Sequence, residues 1–275
     1  MREIATGITQ DTTLCISLSG RPGSTGTRFH NYLYDALGLD FVYKSFTTSD
    51  IAEAIAGVRG LRIRGCAVSM PWKHDVIALV DELDASAAAI DAVNTIVNTD
   101  GHLVAYNTDY QAVAHLLTDR GVPKQGTVAV LGSGGMAKAT VAALRDLHYR
   151  DVVVVARNEH TGRELASKYG AGWRPELGDL RPATVVNCTP VGMAGGPEAA
   201  ELPVSGSVLE DAWVVFDMVP MPAETPLVVE ARRRGLTVIT GAEVMSLQAL
   251  EQFVLYTGVR PDPELVAAAT TFSRA

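Results

Sequence analysis

Cysteine is scarce in this chain, and Cys15, Cys66 and Cys188 stand far apart with no Cys-x-x-Cys and no paired histidine spacing. Such a set excludes a disulfide framework and carries no zinc signal, so three small buried thiols and no metal are expected. A dense run of Lys or Arg is also missing, and the net charge is −8. Affinity for phosphate backbones comes from clustered positive charge, so nucleic acid is not an expected partner. No stretch approaches the roughly 20 apolar residues that cross a bilayer, and the opening Met-Arg-Glu-Ile-Ala lacks an apolar signal core. A cytoplasmic protein without a membrane partner is expected. What the chain does have is 47% apolar and 20% charged residues, the balance of a packed globular protein.

Its 275 residues suit two modest domains. From Leu14 to about Val104, short apolar runs (14–18, 41–46, 65–68, 95–98) alternate with segments of helical period at 28–37 and 51–58. That alternation predicts β/α units and a mostly parallel sheet. A helix over 107–121 follows, closed by Gly121 and Pro123. A second β/α series then runs through 127–131, 151–155, 184–187, 214–217 and 237–240, with β-branched strands apolar on both faces. The helical stretch 243–256 has no strand after it and is expected to return to the first domain. The expected plan is α/β: a discontinuous substrate domain, 1–108 with 243–275, and a Rossmann-type dinucleotide domain, 109–242.

Within that second series, the strand at 127–131 runs into Gly132-Ser133-Gly134-Gly135-Met136-Ala137 and then a helix. These residues fit G-x-G-x-x-G/A, whose glycines permit the tight turn and let backbone amides meet a pyrophosphate at the helix N-terminus. The next strand ends in Ala156-Arg157-Asn158. An acidic residue there would select NAD through the ribose 2′-hydroxyl. Arg157 instead suits the 2′-phosphate of NADP, so NADP is the expected cofactor and NAD the second choice.

Ahead of the loop come Val68-Ser69-Met70-Pro71-Trp72-Lys73, Ala92-Val93-Asn94-Thr95 and Tyr106-Asn107-Thr108-Asp109. After it come Asn187-Cys188-Thr189-Pro190-x-Gly192-Met193, Thr225-Pro226-Leu227, Gln248 and Phe253-x-x-Tyr256-Thr257-Gly258. In this order the set resembles the shikimate dehydrogenase family, and its divergent shikimate dehydrogenase-like branch most closely. The resemblance implies reversible hydride transfer between NADP(H) and the ring hydroxyl or ketone of shikimate and 3-dehydroshikimate. It makes Lys73 and Asp109 the catalytic pair, and it places Asn94 and Gln248 on ring hydroxyls and Ser69 near the carboxylate. Thr189 and Met193 would lie on the nicotinamide side. The chemistry agrees, because an ammonium group can protonate the alkoxide that forms as hydride arrives, and a nearby carboxylate favours that ammonium.

The family's carboxylate-binding serine pair is incomplete. Ser24 occupies the first position and Gly26 the second, leaving Thr25 or Thr27 as the substitute hydroxyl. Pro220 stands where a tyrosine is expected, and Ala67 where an asparagine is. Quinate is therefore the nearest rival substrate. A folate-type methylene dehydrogenase fits less well with Asn94, Asp109 and Gln248. A non-catalytic sensor of a metabolite or of NADP(H) is the alternative from another class. His30 is expected to be structural and His74 a loop side chain. Monomer and homodimer are equally open.

Overall fold

The computed structural model describes residues 7–274, so the opening stretch read for a signal core lies outside the described residues. Contacts divide the chain into two compact units: Met1–Thr108 with Ser246–Ala275, and Asp109–Met245.

The first unit is built on a sheet of β1 (Thr13–Leu18), β2 (Phe41–Phe46), β3 (Gly65–Val68), β4 (Glu82–Leu83), β5 (Thr95–Thr99) and β6 (His102–Tyr106). Their order is β2-β1-β3-β5-β6-β4. β1 pairs in parallel with β2 and β3, and β4 with β6, whereas β5 runs antiparallel to both β3 and β6. The β5–β6 hairpin turns at Asp100 and Gly101, both at positive φ, where Asp and Gly are the residue types that tolerate left-handed backbone. Helices α1 (Thr25–Ala36), α2 (Ile51–Gly60) and the short α3 (Ala85–Ala88) connect the strands. Asp50 caps α2 by accepting from the Glu53 amide at 3.0 Å.

Two apolar clusters fill this unit, one around Ile16, Ile55, Cys66 and Ile96 and the other around Phe29, Leu33, Tyr34 and Tyr43. The second cluster draws Phe253, Tyr256 and Ala269 from the far end of the chain. These residues lie on α8 (Gly241–Thr257) and α9 (Pro263–Arg274). Tyr256 lies so close to Gly65 that a Cβ there would run into its ring.

The second unit opens with α4 (Thr108–Asp119) and carries β7 (Val128–Leu131), β8 (Val152–Val155), β9 (Gly172–Arg174), β10 (Thr184–Asn187), β11 (Val214–Asp217) and β12 (Thr237–Thr240). All are parallel, in the order β12-β11-β10-β7-β8-β9. Every residue of β7, β10 and β11 is buried, as the apolar runs predicted for strands covered on both faces. Between them run α5 (Gly135–Asp146), α6 (Glu159–Tyr169) and α7 (Pro226–Arg233). Thr240 and Glu243 form a capping box at the start of α8. The Thr240 amide donates to Glu243 Oε2 at 2.8 Å, and the Glu243 amide donates to Thr240 Oγ1 at 3.3 Å. Among the described residues no helix is long and apolar enough to cross a membrane.

Candidate active site

In the second unit, a cavity of about 750 Å³ is lined by Gly132, Ser133, Gly134, Arg157, Asn158, Cys188, Thr189 and Pro190, among others. Gly132 has φ +101°, a conformation that excludes other residue types, and a Cβ on it would press within 3.3 Å of the Cys188 carbonyl. Gly134 caps α5 without any side chain, and a Cβ on Gly134 or Gly135 would meet nothing within 4 Å. The turn is therefore tight at its first glycine and open at the other two. Bare backbone amides at the N-terminus of α5 thus face free volume, which is what a pyrophosphate requires. Met136 and Ala137 continue into the helix. Arg157 is exposed at the tip of β8. Asn158 caps α6, its side chain accepting from the Thr161 amide at 3.1 Å. The donor set and the space fit a dinucleotide with a 2′-phosphate.

Two of the three cysteines, Cys15 and Cys66, are buried, whereas Cys188 is half-buried at the cavity wall. The Cys188 thiol is nonetheless tied to the Thr140 hydroxyl at 3.5 Å, and burial pushes its pKa up to about 12. It is an inert wall element rather than a nucleophile. Among the described residues no cluster of His, Cys, Asp or Glu could hold a metal ion.

In the first unit, the segments around Lys73, Asn94 and Thr108 are bonded to one another. The Val93 amide donates to the Lys73 carbonyl at 2.9 Å, and the next residue, Asn94, is buried. Asn94 Oδ1 accepts from the Thr108 amide and from the Thr95 hydroxyl, both at 2.8 Å, and its Nδ2 donates to Thr108 Oγ1 at 3.0 Å. A side-chain amide has two N–H donors, so only one hydrogen of Asn94 is left to meet a ligand hydroxyl. Asp109 follows Thr108 directly, in the first turn of α4 rather than at its cap. Lys73 sits in the turn before the short 3₁₀ segment Asp75–Leu79 and is half-buried, and Ser69 is exposed at the end of β3.

Gln248 lies on α8 within the first unit and is half-buried. One turn further, Gln252 is buried and donates from Nε2 to Thr95 Oγ1 at 3.0 Å. The motif reading passed over Gln252, although two glutamines four apart on an apolar helix mark one shared face. Gln252 anchors that face to the strand that begins just after Asn94, and Gln248 stands one turn above it.

Around the altered serine pair, Ser24 caps α1 with no side-chain bond to the helix. The Thr27 hydroxyl is 2.7 Å from Ser45 Oγ, and Ser45 donates its own proton to the Gly23 carbonyl at 3.0 Å. The Thr27 hydroxyl is thus already paired with Ser45, and a carboxylate reaching it would share it with that partner. His30 is fully buried, stacked on Tyr43 at 4.3 Å, with Nδ1 bonded to the Gly26 carbonyl at 2.9 Å. It is a structural histidine. His74 is exposed, as a loop side chain would be.

A doubly wound parallel unit with a glycine-turn cavity, joined to a second α/β unit, defines a dinucleotide-binding α/β protein of the two-domain dehydrogenase class. Residues 23–96 match the family model described as the shikimate dehydrogenase substrate binding domain. The chain is 51% identical over 267 residues to a shikimate dehydrogenase-like protein of Haemophilus influenzae, covering 97% of this chain and 98% of that one. It is 35% identical to a shikimate dehydrogenase (NADP(+)) of Chlorobium phaeovibrioides, covering 87% and 89% of the two chains. Among solved structures, shikimate 5-dehydrogenase from Thermus thermophilus in complex with NADP(H) and shikimate superposes with TM-score 0.84 at 28% identity, over 95% of this chain and 99% of that one. A quinate dehydrogenase from Corynebacterium glutamicum in complex with NAD gives TM-score 0.85 at 26% identity, over 94% and 97%. This chain belongs to the shikimate dehydrogenase family.

Proposed function

We propose that this protein is a cytoplasmic NADP-dependent oxidoreductase that interconverts a ring hydroxyl and ketone on shikimate and 3-dehydroshikimate, or on a close cyclic hydroxy acid. The observation that carries this reading is the bonded frame running from Lys73 through Asn94 to Thr108, which holds an ammonium-bearing segment and the base of Asp109 on one scaffold. The cofactor supplies or accepts the hydride. Lys73 delivers the proton that the developing alkoxide needs in the reduction direction and takes it back in oxidation, contributing about 10²–10⁴ in rate as general acid-base groups do. Asp109 favours and orients the ammonium. Asn94, through its one remaining N–H, and Gln248 hold ring hydroxyls, while Ser24, Thr27 and Ser69 supply hydroxyls to the carboxylate. Gly132 to Ala137 receive the pyrophosphate, Arg157 the 2′-phosphate, and Thr189 and Met193 border the nicotinamide.

Quinate is the second reading. It is supported by the likeness to a quinate dehydrogenase, while Gly26, which offers no hydroxyl at the carboxylate, leaves the choice of acid open. The deciding experiment incubates purified protein with NADP or NAD and with shikimate, quinate or other cyclic hydroxy acids, following nicotinamide absorbance. Turnover on shikimate with NADP is the expected result. Tight NADPH binding without turnover on any acid would make the protein a sensor and end the enzymatic reading.

A further inference from the structure

The motif Asn187-Cys188-Thr189 and the strand ending in Asp217 meet in a buried polar network that the chemistry above does not use. Asn187 and Asp217 are the last residues of β10 and β11, paired in register, and both are fully buried. Asn187 Nδ2 donates to Asp217 Oδ1 at 3.0 Å. Asn187 Oδ1 in turn accepts from the Thr189 amide at 3.1 Å and from the Thr189 hydroxyl at 2.6 Å. The other Asp217 oxygen accepts from the hydroxyl of Thr225, and Oδ1 also takes the Val219 amide at 3.1 Å. Thr225 caps α7 and packs beneath Gly192, where a Cβ would stand 3.4 Å from the Thr225 Cβ.

One carboxylate therefore grips the 189–193 loop at both ends, through Asn187 at Thr189 and through Thr225 beneath Gly192. Resting on the NADP reading above, we propose that Asp217 is a positioning residue that sets Thr189 and the loop to Met193 against the nicotinamide end of the cofactor. It touches neither cofactor nor substrate. The Asn187 amide and the Val219 N–H can only donate, and both meet Oδ1, while the Thr225 hydroxyl donates to Oδ2, so Asp217 serves as acceptor on both of its oxygens. An amide orients only when its two ends face different partners, and here Asp217 on Nδ2 and Thr189 on Oδ1 settle which way Asn187 points. Burial at this depth makes each of these bonds costly to lose.

The test compares two ligands on the intact protein, NADPH and 2′,5′-ADP, the second carrying adenosine and the 2′-phosphate but no nicotinamide. Asp217→Asn preserves shape and sets an NH2 group against the Thr225 hydroxyl, where the structure has an acceptor oxygen. The expected result is a Kd for NADPH raised about 5-fold or more, read by the fluorescence of the bound nicotinamide, with 2′,5′-ADP held within about 2-fold. Combining Asp217→Asn with Asn187→Asp restores a donor-acceptor pair between the two strands and should recover part of the loss. Equal weakening of both ligands would make Asp217 a general structural residue, and no weakening would dismiss it. Should Asp217→Asn fail to fold, Thr225→Val removes the hydroxyl that meets the other Asp217 oxygen beneath Gly192 and should reproduce the split between ligands; equal or absent effects there overturn the proposal. If the unaltered protein binds neither ligand, the NADP reading itself fails.

Discussion

Protonating His30 should destabilise the first unit from within, because the imidazole has no exposed surface. Burial lowers its pKa from 6.5 to about 4, the bond to the Gly26 carbonyl offsetting only part of that desolvation. The folded value lies below the unfolded one, so as pH falls the unfolded chain takes up the proton first. The stability due to neutral His30 is complete above 6.5 and is lost progressively as pH drops toward 4. Between about pH 7 and about pH 5 the two values correspond to a loss of about 2 kcal/mol. Other groups titrate over the same range, so the measurement is a difference. Urea unfolding of the wild type and of His30→Phe is followed at both pH values; the substitution keeps the ring stacked on Tyr43 and removes the titrating group. The variant should lose about 2 kcal/mol less than the wild type over that interval. Matching pH dependences, within about 0.5 kcal/mol, would refute the reasoning and mean that the buried imidazole is protonated without cost.

Lys73→Ala should cut turnover at least about 100-fold while leaving the Michaelis constant for the acid within a few-fold, and near-normal turnover would remove Lys73 from the mechanism. Arg157→Ala should raise the Michaelis constant for NADP and leave that for NAD unchanged, because only NADP carries the 2′-phosphate; equal weakening of both would point to adenine stacking instead. Gly26→Ser is accommodated, since its Cβ would meet only Tyr43 at 3.9 Å. It should raise kcat/KM for shikimate by supplying the missing hydroxyl, a hydrogen bond of about 0.5 to 1.5 kcal/mol, and a loss on another acid with no gain on shikimate would reassign the substrate. Gly65→Ala drives a methyl into the Tyr256 ring and should cost about 1 to 3 kcal/mol by thermal or urea unfolding, whereas an unchanged midpoint would show that the ring can step aside.

Periodicity and turn chemistry carried most of the architecture in advance. Strands β1, β2, β3, β5, β7, β8, β10, β11 and β12 fall within a residue of the apolar runs, and the signature is least interrupted in β7, β10 and β11, which are buried along their whole length. Strands β6 and β9 were harder to read. His102–Tyr106 alternates exposed and covered residues, and Gly172–Arg174 is only three residues at a sheet edge, so neither leaves a continuous apolar run. Helix α9 was missed because no motif marks it, although Pro263 opens it. In the candidate site, Gly132, Asn94 and Lys73 were legible as residue types at motif spacing. The bond between the Thr27 and Ser45 hydroxyls and the anchoring of Gln252 were not, because both depend on partners at distant points of the sequence.

The capping box of Thr240 and Glu243 starts a helix that begins in one unit and ends in the other, with Phe253 and Tyr256 delivered to a core whose remaining residues were made far earlier. A ribosome releases this chain from its N-terminus, so the whole dinucleotide unit emerges before the pieces that complete the first unit. Until α8 appears, the faces of Gly65 and Tyr34 that receive Tyr256 and Phe253 lack that cover. The later unit in sequence can therefore reach its native state while the earlier one is still waiting, and newly made chains stalled just after Thr240 should protect β7 and β10 from proteolysis while leaving β1 and β3 open to it.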